Sequence, residues 1–157
     1  MMKRYASILG SLLFVLVMSL TSLHSFAAAD RGTAEEAQAL VKRAIEHIKA
    51  VGPEQAFKDF DDKQGKFVDR DLYIFVRSMD GNTVAHGANM GMIGHTSMAL
   101  KDADGKLYNK EMIELASSKG SGWVDYRWVN PVEKKIQQKS SYIEKVGDYV
   151  VGAGFYK

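Results

Sequence analysis

The sequence predicts an α+β domain: a long N-terminal helix packed on a five-stranded antiparallel sheet, with a helix and a loop as cover. Three observations carry this expectation. Apolar residues recur at helical spacing from Ala34 to Ile48. Five later segments are rich in β-branched and aromatic residues and are bounded by turn-forming residues. Between the second and third of them lies a glycine- and methionine-rich stretch without period, followed by one short helical pattern. Helices placed before and within a run of strands make an α+β layer arrangement.

The 157 residues are enough for one domain. Residues 1–29 read as a secretory signal peptide. Lys3 and Arg4 form a positive start, Ile8 to Leu20 is almost wholly apolar, and Ser25 to Ala29 offers the small residues of a cleavage site near Ala27 to Ala29. The apolar run is shorter than the roughly 20 residues a spanning helix prefers; the alternative is a retained N-terminal anchor. Residues 30–157 are then a single ligand-binding domain. Removing Lys3 and Arg4 from the 21 basic residues leaves 19, against 19 acidic ones. A neutral domain without a basic stripe does not point to nucleic acid. There is no cysteine, so no disulfide framework supports the core. The expected compartment is the periplasm.

Thr33 and Glu36 form a capping box at the start of the first helix. Ala34, Ala37, Leu40, Val41, Ala44, Ile45 and Ile48 make its apolar stripe. Gly52-Pro53 ends it and opens a second, short helix with Phe57 and Phe60 inward and Asp61-Asp62 at its end. Leu72 to Arg77 and Thr83 to His86 read as a hairpin about Asp80-Gly81-Asn82. Gly87 to Asp104 reads as a long ordered loop, a kind of segment that is often functional. Asn109 to Ser118 reads as a helix, with Met112, Ile113, Leu115 and Ala116 on its buried side. Strands follow at Trp123 to Val129, Ile136 to Val146 and Tyr149 to Tyr156.

Taken in order, several of these segments resemble the single Cache domain of type 2. They are Tyr73-Ile74-Phe75-Val76 and Asp80 to His86, then Asp102 to Lys106 ahead of a helix ending in Gly122. Tyr126-Arg127-Trp128 follows with Pro131 three residues on, then Lys139-Ser140-Ser141-Tyr142, then Val151 to Tyr156. The resemblance covers essentially all of residues 30–157. It implies a PAS-like extracytoplasmic sensor fold that binds small molecules, often short carboxylates, between the sheet and its covering loops. Most such domains belong to chemoreceptors or sensor kinases and lie between two membrane spans. No second apolar run of spanning length follows here, so the expectation is a free-standing domain. Its output would pass through a membrane sensor kinase, a chemoreceptor or a transporter, and its N-terminal helix would be available for a homodimer. Gly87 stands where the family pattern often has a proline.

The ligand contacts expected are His86, Tyr126, Trp128, Lys139, Tyr142, Arg77, Asn89 and Met92. His86 closes a strand and leads into the glycine-rich loop; a structural histidine bonded to loop carbonyls is the plain alternative. Tyr126 and Trp128 share a strand face with Val124, where they serve either as pocket walls or as ordinary sheet packing. Lys139 and Tyr142 fall on opposite faces of a regular strand, so both reach one pocket only if a bulge intervenes. Arg77 suits a carboxylate, although an arginine near a turn is commonly a surface charge. Asn89 is a neutral candidate on the covering loop.

His86, Met90, Met92, His95 and Met98 suggest a rival reading as a Cu(I) site, since thioethers and imidazoles suit that ion. A third reading is an envelope protein-interaction module. Asp102-Ala103-Asp104-Gly105 resembles a calcium loop, but the twelfth position from Asp102 is Ile113, so it reads as a turn. No cofactor is expected. No nucleophile elbow and no zinc-peptidase pair occurs, and the chain reads as a binding protein rather than an enzyme.

Overall fold

The computed structural model describes residues 31–157; the segment read as a signal peptide lies outside them. The capping box forms as expected. The Thr33 hydroxyl accepts from the Glu36 amide, and the Glu36 carboxylate accepts from the Thr33 amide at 2.9 Å. Helix α1 (Ala34–Val51) buries the predicted stripe from Ala37 to Ile48 and leaves its first member, Ala34, half-buried. Gly52, at φ 81°, makes the break that an L side chain would resist. Pro53 opens α2 (Pro53–Asp61), which buries Ala56 and Phe60.

The apolar run from Leu72 to Arg77 is not one strand. Strand β2 (Leu72–Tyr73) pairs with β1 (Val68–Asp69) in a two-stranded ribbon, and β3 (Phe75–Ser78) enters the main sheet. Ile74 lies between them, its amide donating to Phe67 and its carbonyl accepting from Gly87. Strand β4 (Thr83–His86) returns beside β3. A short 3₁₀ turn at Met90–Met92 is the regular structure within the long loop. Helix α3 (Tyr108–Lys119) extends one residue beyond the expected helix at each end and buries Tyr108, Asn109, Met112, Ile113 and Ala116. Leu115, expected inside, is only half-buried. Strands β5 (Ser121–Val129), β6 (Ile136–Val146) and β7 (Tyr149–Tyr156) complete a five-stranded sheet of order β4-β3-β7-β6-β5, antiparallel throughout. Among the described residues no helix is long and apolar enough to cross a membrane.

Alternation of side chains along each strand divides the interior in two. On one face α1 and α2 pack on Ile74, Val76, Tyr142, Val151 and Ala153. On the other, α3 packs on Tyr73, Phe75, Val124, Tyr126, Ile143 and Val150. The second face is uneven because β7 carries glycine where larger residues would stand. The Phe75 ring lies over Gly152, and the Lys139 side chain over Gly154.

At Gly87 an added Cβ would stand 2.9 Å from the Phe60 carbonyl oxygen, and the Gly87 amide donates to Ile74. A proline would lose that donor and meet that backbone.

A methyl group at Gly154 would come within 2.6 Å of the Ser140 carbonyl oxygen and 2.8 Å of Lys139 Cε. Gly154→Ala is therefore expected to destabilise the protein by about 1–3 kcal/mol. Urea denaturation measures this, and an unchanged midpoint would mean that β6 and β7 yield to the extra carbon.

Candidate functional site

The face beneath α3 gathers an unusual set of polar groups. Arg77, His86 and Lys139 are 3%, 2% and 0% exposed. Arg77 follows Tyr73 and Phe75 in alternation, so it points to the α3 side. A bulge between β3 and β4 sets Thr83, rather than Val84, opposite it. The bulge thereby supplies a hydroxyl: Arg77 Nη1 donates to Thr83 Oγ1 at 2.8 Å and to Ser97 Oγ at 2.7 Å. Ser97 in turn donates to the Gly81 carbonyl and accepts Asn109 at its own carbonyl. Arg77 Nε has no partner, and its guanidinium lies 5.4 Å from the centre of the Phe75 ring.

Lys139 enters from the other end. It stands opposite Tyr126 on β5 and Tyr156 on β7. Its ammonium sits 3.9 Å from the centre of the Tyr73 ring and 4.7 Å from that of Tyr156, and donates to Tyr156 Oη at 3.3 Å. Tyr156 donates its own proton to the Val129 carbonyl. The two cations rest on rings two residues apart in sequence, a step of about 7 Å along an extended chain. Among the described residues neither forms an ion pair with a carboxylate.

His86, opposite Phe75, lies against the Tyr73 ring at 5.0 Å. Its Nδ1 accepts from the Asn89 amide at 3.0 Å. An amide can only donate, so the neutral ring carries its proton on Nε2. Tyr108 stacks flat on Tyr126 at 4.4 Å, and Trp128 leans on both. Tyr126 shares a hydrogen bond with Ser141 at 3.0 Å. The Tyr108 hydroxyl and Asn109 Oδ1 are buried without partners.

Burial governs the titration of the whole cluster. It holds Lys139 well below the ordinary lysine range, an effect that Arg77 reinforces and Asp71 opposes. It lowers Arg77, raises Tyr73 and Tyr126 well above the usual phenol range, and raises Tyr108 and Tyr156. The phenols therefore stay neutral and supply no counter-charge. The arrangement presents a guanidinium, a lysine side-chain nitrogen, an imidazole N–H and several hydroxyls within aromatic walls. It offers polar groups for an anionic ligand.

The sequence model of the single Cache domain 2 matches residues 1–157. The chain belongs to that family. Among solved structures, a Cache chemosensory domain described for its carboxylic acid recognition superposes with a TM-score of 0.66 at 26% identity, covering 78% of this chain and 91% of that one. A methyl-accepting chemotaxis protein from Vibrio parahaemolyticus gives 0.68 at 25% identity, covering 78% and 86%. Among curated relatives, the methyl-accepting chemotaxis protein McpP of Pseudomonas putida is 31% identical over 90 residues, 56% of this chain. The sensor histidine kinase MctS of Rhizobium johnstonii is 34% identical over 89 residues, 55% of this chain. The chain spans only 16% and 19% of the length of these two relatives. It is a Cache sensor domain like those of chemoreceptors and sensor kinases.

Within this Cache domain the structure brings Arg77, His86, Tyr126 and Lys139 onto one face, with Trp128 half-buried at its edge. Tyr142 is a correction. The pairing of β6 with both neighbours runs without a bulge, so Tyr142 points to the α1 side, where its hydroxyl donates to Glu144. Asn89 lies outside this buried face: it is exposed, and its side chain caps the 3₁₀ turn by accepting from the Gly91 amide. Met92, half-buried in that turn, is not among the side chains packed into the α3-side core. Of the residues set apart as a copper site, Met90 and His95 are exposed while Met98 packs into the α3-side core. Asp102 accepts the amides of Asp104 and Lys106, and its other oxygen accepts from Arg127 on β5, so the loop there is a turn tied to the sheet edge. Tyr73, Ser97, Tyr108, Asn109, Ser141 and Tyr156 join the cluster without having been singled out in the sequence.

Burial, with Lys139 and Arg77 nearby, pushes the His86 pKa down to about 3, against 6.5 for a free histidine. Below about 6.5 the unfolded chain takes up a proton that the folded chain refuses. Stability is therefore lost as pH falls from 6.5 towards 3, by up to about 5 kcal/mol from this group. His86→Gln is expected to remove that part of the slope. Urea unfolding of both proteins between about pH 7 and about pH 4 measures it; equal slopes would show that the folded imidazole accepts the proton.

Proposed function

We propose that this Cache domain is a periplasmic sensor of short carboxylates. In this reading, residues 1–29 export it and it passes its signal through a separate membrane partner. The observation that carries the reading is the buried pair of basic side chains, Arg77 and Lys139, neither of them ion-paired with a carboxylate among the described residues. An enclosed charge is tolerated when it is paired and hydrogen-bonded, and an anionic ligand would supply that pairing. The carboxylate would take the free donors of Arg77 and the ammonium of Lys139, with the Nε2–H of His86 between them. Tyr126, Tyr73, Tyr108 and Trp128 would exclude water from the ligand's carbon skeleton. The likeness to a Cache domain described for carboxylic acid recognition supports the same ligand class. The chemoreceptor and sensor-kinase relatives support a role in signalling.

Recognition of this kind involves no bond making, and the protein acts as a binding module rather than an enzyme. A membrane kinase, a chemoreceptor or a transporter would read the ligand-bound form, and α1 offers a helical surface for pairing two copies.

Acetate, propionate or succinate is expected to raise the melting temperature of the purified protein. At about 100 times its dissociation constant a ligand adds about 2.7 kcal/mol. Arg77→Met and Lys139→Met should each weaken the binding about 30-fold or more, as removal of one partner from a buried charge pair does. A panel of carboxylates that leaves the melting temperature unmoved would sink the proposal, and a response to Cu(I) alone would replace it with metal handling.

A further inference from the structure

Lys139 is an amine enclosed on every side. Tyr73 from β2, Tyr156 from β7 and Tyr126 from β5 face it. Arg77 on β3, His86 on β4 and Tyr108 at the start of α3 are the other titratable groups of that cluster. None of these carries a negative charge. The carboxylate that acts on Lys139, Asp71, is committed elsewhere: its Oδ1 accepts the Gly32 amide at 2.7 Å, and its Oδ2 lies 3.4 Å from the Asn130 side-chain nitrogen. The one hydrogen bond of Lys139, to Tyr156 Oη, can be donated by a neutral amine as well as by an ammonium. The aromatic faces favour the ammonium, but the positive guanidinium of Arg77 and the loss of water oppose it.

Resting on the carboxylate-sensing reading above, we propose that the ligand-free protein holds Lys139 as the neutral amine, and that a carboxylate binds together with one proton taken from solvent. The proton adds to the amine lone pair and forms the ammonium that the incoming anion pairs with. No other group changes charge. The site then takes up the elements of the undissociated acid, although the species free in solution is the anion. His86 does not substitute for Lys139 in this role, because its Nδ1 is occupied by the Asn89 amide and its Nε2 already carries a proton.

Linkage fixes the sign. An anion that favours the ammonium raises the proton affinity of Lys139, so protons are taken up between the empty-state and bound-state titrations. In that window the dissociation constant rises by up to about tenfold per unit of rising pH. Burial, which holds the amine below the ordinary lysine range, places the empty-state limb of that window on the low side.

The test is titration calorimetry of the purified protein with acetate near pH 8, in two buffers of different ionisation enthalpy. It is paired with the carbon resonance of Lys139 Cε in protein labelled at lysine. The expected result is an uptake approaching one proton per acetate, with a Cε shift typical of an amine in the free protein and of an ammonium in the complex. Binding whose enthalpy is the same in both buffers would overturn this inference while leaving the carboxylate reading intact, and so would an ammonium shift in the free protein. If neither acetate, propionate nor succinate binds, the carboxylate reading itself falls and takes the inference with it. The resonance needs no substitution at Lys139, so the outcome does not depend on whether a variant folds.

Discussion

Burying the Arg77 guanidinium and the Lys139 side-chain nitrogen in one small domain, with neither ion-paired to a carboxylate, costs several kcal/mol. Much of the surrounding structure consists of measures that moderate that cost. Thr83 and Ser97 give hydroxyl oxygens to Arg77. Tyr73 and Tyr156 give their ring faces to Lys139. His86 stays neutral. Each supplies dipoles and no full negative charge, so the positive potential of the face is reduced but not cancelled. The stability needed to hold the charges comes from elsewhere, chiefly the apolar layer between α1, α2 and the opposite face of the sheet. The two faces thus divide the labour: one stabilises the fold and the other is kept short of its electrostatic optimum.

Glycine makes this division possible within a thin sheet. Residues on β7 alternate between α1-facing side chains such as Val151 and Ala153 and the bare positions Gly152 and Gly154. Over those bare positions Phe75 and Lys139 lie flat, bringing the two cations inward from opposite ends of the face. A larger residue at either position would lift one of these side chains and separate the charges from the aromatic walls.

Much of this was legible in the sequence. The capping box at Thr33 and the Gly52-Pro53 break follow from local chemistry, and the stripe on α1 follows from its period. Parity alone placed Tyr126 with Trp128, and placed Lys139 and Tyr142 on opposite faces. Other features depend on long-range partners and leave no local trace. The apolar run from Leu72 to Arg77 looks continuous because the break at Ile74 is made by Phe67 and Gly87, one before and one after it. The burial of Arg77 depends on a β-bulge that brings Thr83 across, and on a loop that brings Ser97 back. Tyr73, Tyr108 and Tyr156 read as ordinary core residues, since a tyrosine that walls a cation has the same local pattern as one that fills a core. Asn89 lies on the covering loop as the sequence suggests, but the capping of its own turn by its side chain could not be read there.

The two tryptophans sit five positions apart on β5 and therefore on opposite sides of the sheet. Trp123 is partly exposed on the α1 side, against Tyr142 and edge-on to Phe155. Trp128 leans on the stacked pair of Tyr108 and Tyr126. One indole borders the charged cluster and the other is screened from it by the backbone of the same strand. The molecule consequently carries its own optical probe and its own internal reference. A Trp123→Phe variant would leave Trp128 as the single indole emitter, beside the cluster beneath α3.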